Sequence, residues 1–367
     1  MWLFKKQSKV DDFKGYVDSA DLEKLQVLLD KKKVGLSYNT FGITPRLGKD
    51  RQYPVLYKLV DDDSRDVTDL VDLVNKLSED YVRKQIYSEI AQDPILRFTK
   101  FFDTKEKVLS ILLHQFFSVD PIHICIIADK RCYMETLIEI THSLHPKSIL
   151  YNGERLTPSV SDGKLESPGL FADYDEGLIC FPNIQKLADS ELKVLQNVIR
   201  DNSITKKYKS KIFKLPTRVS ILAYSNPNTA VFVGKHNGLF KQQFPIETDI
   251  LAQFHMVVCV RCNDEGCLAP TSYSETDIEF VQDYMNYAHT IGVSFPKKFD
   301  EHIVNWYKLV QKEAKSVLSP VSDQLVICLI RLSCAHARMH LRDEVQLEDL
   351  KRAMDLLQDT LNLIEYV

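Results

Sequence analysis

The sequence predicts an α/β protein, a mainly parallel sheet of about five strands with helices on both faces, followed by an all-helical segment and preceded by a small mixed region. Three observations predict it. From Ile95 to Arg261 the apolar runs "IHICIIAD", "SILYNG", "GLICF", "VSILAYSN" and "FHMVVCV" alternate with helical segments or insertions, and strand, helix, strand repetition argues for parallel pairing through crossovers. Most of these runs are continuously apolar rather than alternating, as strands buried on both faces are. Beyond Ser272 only helical periodicity remains.

At 367 residues the chain exceeds one ordinary core, and the pattern divides it into 1–90, 91–271 and 272–367. Residues 1–44 mix charge with a helical pattern at Leu22, Leu25, Leu28 and Leu29. A loop and one strand, "YPVLYKLV", follow; then an amphipathic stretch runs from Val67 to about Ile90 until "QDP" breaks it. In the last segment, Leu347, Leu350, Met354, Leu357, Leu361 and Ile364 recur three and four apart and so share one helix face. The preceding helix carries Leu325, Leu329, Leu332 and His336, with Ser322 as its expected cap.

Composition excludes several classes. With 44% hydrophobic and 27% charged residues the chain is built to fold. Its net charge of −4 leaves any nucleic-acid contact to a local basic cluster. No apolar run nears the roughly 20 residues that span a bilayer, and "MWLFKKQSK" is too soon charged for a secretory signal, so an intracellular protein is expected, cytoplasmic in a prokaryote or archaeon and nuclear in a eukaryote. Eight cysteines scattered over such a length are expected to be reduced. His255, Cys259, Cys262 and Cys267 include one C-x2-C and would supply four donors for zinc; the favoured reading is a buried strand ending in a cysteine-bearing loop, because His255 and Cys259 lie in an apolar run and no second C-x2-C exists. There is no G-x-S-x-G elbow, no H-E-x-x-H and no glycine-rich dinucleotide fingerprint. His336, on a helix face, reads as a packed core residue rather than a catalyst.

"GLICFPNIQKL" (177–187), "VSILAYSNPN" (219–228) and the long stretch from Leu318 to Leu357 together resemble the ATPase half of the minichromosome maintenance (MCM) helicases, a branch of the AAA+ ATPases. The similarity runs from about Asp80 to Leu361. The resemblance implies an AAA+ core with a helical C-terminal lid. Residues 1–79 precede it, so the family's large N-terminal collar with its zinc ribbon is expected to be mostly missing.

The resemblance also says where a nucleotide would be handled, and there the expected groups are absent. The phosphate-binding loop needs glycines, a lysine and a magnesium-binding hydroxyl; "ADKRCYMETLI" (128–138) puts Met134 at the lysine position and Glu135 at the hydroxyl position. The two Walker B acids fall on Pro182 and Asn183, the arginine finger on Gln253 and the lid arginine on Asp323, while the sensor 1 asparagine is kept as Asn226. Phosphoryl transfer rests on positioning and electrostatics, so the expectation is a pseudo-ATPase with no cofactor.

The family's channel hairpin falls on "ITKKYKSKIF" (204–213), with Lys206, Lys207, Lys209 and Lys211 for phosphates and Tyr208 for stacking. The competing reading is a solvated hairpin whose lysines keep its edges from pairing. The expected function is therefore binding, to DNA without sequence preference, to active MCM subunits or other replication proteins, or to both, in DNA replication or related DNA metabolism. The alternatives are a subunit of a mixed ring whose partners supply the catalytic groups, and an interaction scaffold with no DNA contact.

Overall fold

The structure, a computed structural model, describes residues 106–366 apart from 133, 163, 235 and 263–274, together with 20, 23–27, 35–42, 52–60, 73, 76, 83, 84 and 86–102. Two compact units divide at Phe101/Phe102. In the first, β1 (Gly35–Gly42) and β2 (Gln52–Val60) pair antiparallel. The predicted strand "YPVLYKLV" is β2, whereas β1 falls in a stretch read as charged and helical. Of the four leucines read as a helical pattern, Leu25 is buried and Leu22, Leu28 and Leu29 lie outside the described residues. "QDP" ends one helix and starts the next: Asp93 accepts the Leu96 N–H at 3.2 Å, and Pro94 opens α1 (Pro94–Phe102), where its missing N–H costs nothing.

In the second unit, α2 (Glu106–Phe116) precedes β3 (His123–Ala128), whose six residues are all buried. α3 (Met134–Leu144), β4 (Ser148–Leu150), a small hairpin of β5 (Ser159–Ser161) and β6 (Lys164–Ser167), α4 (Leu170–Asp173) and β7 (Leu178–Phe181) follow. Then come α5 (Asp189–Asp201), the hairpin β8 (Ser203–Tyr208) and β9 (Lys211–Pro216), β10 (Ser220–Ser225), α6 (Asn237–Lys241), α7 (Thr248–Leu251) and β11 (Met256–Cys262). The lid is α8 (Glu275–His289), α9 (Asp300–Glu313), α10 (Gln324–Met339) and α11 (Leu347–Thr360), and the described chain ends in β12 (Leu363–Tyr366).

The sheet is wholly parallel in the order β12-β11-β3-β10-β7-β4. Cys125, Ile127, Ile179, Phe181, Ile221, Ala223, Val257 and Cys259 point to one face and form a single core with Leu195, Val198 and Ile199 of α5. α3 runs against β4, β7 and β10 and gives none of its buried residues to that core, so it covers the other face. Burial on both faces is the physical reason the strands read as unbroken apolar runs.

Two expectations about the lid are corrected. Leu361 and Ile364 do not extend the last helix: α11 stops at Thr360, and Ile364 belongs to β12, where it pairs with Val260 and makes a sixth strand. Ser322 does not cap α10 with its side chain; Asp323 is the capping residue, without a side-chain cap bond, and its carboxylate instead accepts the Tyr307 hydroxyl at 2.8 Å.

Candidate functional site

The carboxyl ends of three adjacent parallel strands, β3, β10 and β7, lie on one edge of the sheet. That topology gathers the loop 129–132, Asn226 and the pair Pro182–Asn183, and an open α/β sheet places its ligands in such a crevice. Met134 opens α3 with its side chain turned into the core, 1% exposed, so its position offers no cation. Glu135 is exposed in the first turn, where its carboxylate complements the positive end of the helix.

The loop itself closes on the protein. Lys130–Cys132 forms one 3-10 turn. The Asp129 N–H donates to the Val260 carbonyl at 3.0 Å, Lys130 N–H to Ala230 at 2.9 Å and Cys132 N–H to Asp129 at 2.9 Å. Asp129 is fully buried: one carboxylate oxygen accepts the Phe232 N–H at 2.6 Å and the other the Cys262 N–H at 3.3 Å. Burial pushes its carboxyl above the ordinary carboxylate range, against the pull of those two donors and of the Arg131 and Arg261 charges. Sequence reasoning passed over Asp129, since a carboxylate met by backbone N–H groups has no side-chain partner to find.

Asn226 is also engaged. Its amide donates to the Ala128 carbonyl at 2.9 Å and to the Tyr224 hydroxyl at 2.7 Å. Pro182 and Asn183 follow β7, and Asn183 Oδ1 is buried with no hydrogen-bond partner among the described residues. Gln253 precedes β11 and so lies on the opposite edge of the sheet, its amide facing the Asp249 carbonyl at 3.4 Å. Asp323 stands at the start of α10, held by Tyr307.

The hairpin is where the sequence put it, but its lysines do not share a face. β8 and β9 pair with Tyr208 opposite Lys211, Lys207 opposite Ile212, Lys206 opposite Phe213 and Thr205 opposite Lys214. Cross-strand partners project to one side, so Lys207, Ile212 and Lys214 face one way, and Lys206, Tyr208, Lys211 and Phe213 the other. Lys207, Lys209, Lys211 and Lys214 are exposed, Lys206 and Tyr208 are half-buried, and Ile212 is 65% exposed. The turn residue Lys209 sits in the left-handed region at φ 52°, its Nζ 5.4 Å from the Tyr208 ring centre. Lys214, which the sequence reading missed, is as available as Lys207; strict alternation from Ile212 would have found it.

The four candidate zinc donors do not form a site among the described residues. His255 Nδ1 accepts the His123 N–H at 2.9 Å, and the two rings stack at 4.7 Å. Cys259 is buried in β11, and burial raises its thiol well above its usual value. Cys262 is disulfide-bonded, which corrects the expectation of eight reduced thiols; a scattered cysteine count carries no information about local pairing. Cys267 lies outside the described residues, among which no group of three or more His, Cys, Asp or Glu side chains gathers.

The strand order, the loop after central β3 and the helical lid define an AAA+ type module. The chain belongs to the MCM family: residues 114–266 match the MCM P-loop domain and 279–361 the MCM AAA-lid domain. It is 22% identical over 267 residues to DNA replication licensing factor mcm7-B of Xenopus laevis, which covers 65% of this chain and 37% of the relative. It is 24% identical to mcm4 of Schizosaccharomyces pombe over 398 residues, 94% of this chain and 41% of the relative, and 24% identical to MCM4 of Drosophila melanogaster over 290 residues, 71% and 33%. The chain thus spans well under half the length of these relatives. Among the described residues, no helix is long and apolar enough to cross a membrane.

Proposed function

We propose that this chain is a catalytically inactive MCM-type protein that acts by binding, to DNA and to active MCM subunits, in DNA replication or related DNA metabolism. The observation that carries the reading is the closed first loop. A magnesium-bound triphosphate needs outward N–H groups, a cation and a hydroxyl or carboxylate for the metal. Here the N–H groups of Asp129, Lys130 and Cys132 are taken by carbonyls, Met134 is buried, and Pro182 and Asn183 offer no carboxylate. The residues present do not fit the group. The relatives named above are replication licensing factors, which supports the cellular setting. The basic hairpin, with five lysines and no acid between Ser203 and Pro216, supports phosphate contact.

Calorimetric titration with ATP, with and without magnesium, together with a phosphate-release assay, tests the reading. Neither submicromolar binding nor turnover is expected. Retention of Asn226 favours a second reading, a mixed ring whose partners complete the site; it requires turnover in the mixture that Asn226→Ala abolishes.

A further inference from the structure

Three chain segments meet at one buried carboxylate. The first is residues 129–130, directly after β3; the second is residues 230–232, in the loop after β10; the third is residues 260–262, at the end of β11. Four hydrogen bonds tie them: Asp129 N–H to the Val260 carbonyl, Lys130 N–H to the Ala230 carbonyl, and the N–H groups of Phe232 and Cys262 to the two oxygens of Asp129. Ala230 holds a left-handed φ of 63°, which a residue with a Cβ keeps only where its surroundings over-determine it. A fully buried carboxylate is strongly unfavourable unless donors meet it, and here the two donors come from two different segments, the loop after β10 and the end of β11.

We infer that Asp129 is an internal anion that holds these segments permanently, doing without nucleotide what a bound phosphate would do only while present. The inference rests on the reading of the site as one that does not take a triphosphate. It adds that the surface built from residues 226–234 and the end of β11 has one arrangement whatever the nucleotide concentration. The geometry is that of an anion hole: two N–H groups converge from a loop and from a strand end, and the anion is supplied by the chain. Asp129 is thus a positioning residue.

Hydrogen exchange on the full chain tests this, with wild type, D129A and D129N compared with and without magnesium-ATP. In wild type, peptides covering 229–234 and 260–262 are protected, and magnesium-ATP leaves them unchanged. D129A speeds their exchange by about tenfold or more while peptides of α10 stay as they were. Added formate, which replaces the deleted carboxylate, restores part of the protection; a side chain that merely filled space would not give that result. D129N keeps the shape but turns an N–H2 group toward one donor, so it opens one of the two segments and decides the matter where D129A fails to fold. Unchanged exchange in the variants overturns the inference, as does a D129A that opens and ignores formate, or protection of 229–234 by magnesium-ATP in wild type. ATP turnover with these segments unmoved sinks the inactive reading and leaves the clamp standing.

Discussion

The amide of Asn226 donates to the carbonyl of Ala128 at 2.9 Å, joining the ends of β10 and β3. The same amide donates to the Tyr224 hydroxyl at 2.7 Å, so on the proposed reading it serves the scaffold. Asn226→Ala should therefore read as a stability variant, losing about 1–2 kcal/mol as two bonds go and the Ala128 carbonyl is left short of a donor. The urea midpoint falls while any activity of a mixture with active MCM subunits stays as it was.

Hairpin lysines should matter in proportion to their exposure. Neutralising Lys207, Lys209, Lys211 and Lys214 together is expected to lower single-stranded DNA affinity and to flatten its salt dependence, each phosphate contact accounting for a slope of about 0.7. Lys206→Ala, half-buried beside Phe213, should do less. Fluorescence anisotropy across a salt series reads both. A slope unchanged in the quadruple variant would leave the hairpin as an edge-protected structural element and favour a scaffold without DNA.

Acid should unfold the second unit early. His114, His123 and His255 are buried, and burial above all holds them neutral, the first two down to about 3 and His255 well below its usual value. An unfolded chain protonates each near pH 6.5, so their stability contribution is complete above that pH and drains away as pH falls toward the folded values. Each gives up at most about 1.4 kcal/mol per pH unit, so the three together cost roughly 3–4 kcal/mol by pH 5.5. Asp349 adds a later loss. Burial pushes its carboxyl up, but His336 at 2.6 Å, the Gln346 N–H and Arg342 outweigh it and leave it below the ordinary range. Its contribution is present above about pH 3.9 and is lost as pH drops through the folded value. Urea midpoints from pH 7.5 to 4.5 read the histidine loss, and extending the series to about pH 2.5 reads that of Asp349.

The parts of this architecture legible in the sequence are those whose burial leaves a one-dimensional trace. β3, β7, β10 and β11 are buried on both faces and so read as unbroken apolar runs, and the hairpin is placed by the resemblance to the MCM family. The relations that close the site leave no such trace. Asp129 looks like any polar residue after a strand, because its partners are backbone N–H groups 103 and 133 positions away. β12 was hidden by arithmetic: four residues are too few to show a strand period, and Leu357, Leu361 and Ile364 continue the helical one by accident of spacing. Ser322 satisfied the sequence rule for a cap, yet the helix begins one residue later than that rule places it.

β12 gives the sharpest test of the sheet. Ile364, 5% exposed, pairs with Val260, and Leu361 just before the strand accepts the Leu318 and Ser319 N–H groups at 2.7 and 3.1 Å. The Ser319 hydroxyl faces both the Val257 and Thr360 carbonyls, at 2.5 and 2.7 Å, so the end of the lid is tied to β11 on two sides. Ile364→Asp puts a carboxylate into that seam with no donor to meet it and should cost about 3 kcal/mol or more, where Ile364→Val costs about 1. Losing β12 would also bare the backbone of β11, a strand of Met, Val and Cys with one Arg, whose unpaired edge is a template for another chain. Light scattering should therefore show association of Ile364→Asp that Ile364→Val lacks, alongside the fall in urea midpoint. If both variants stay monodisperse and equally stable, β12 carries no weight in solution, and the sheet is the five-stranded one the apolar runs predict.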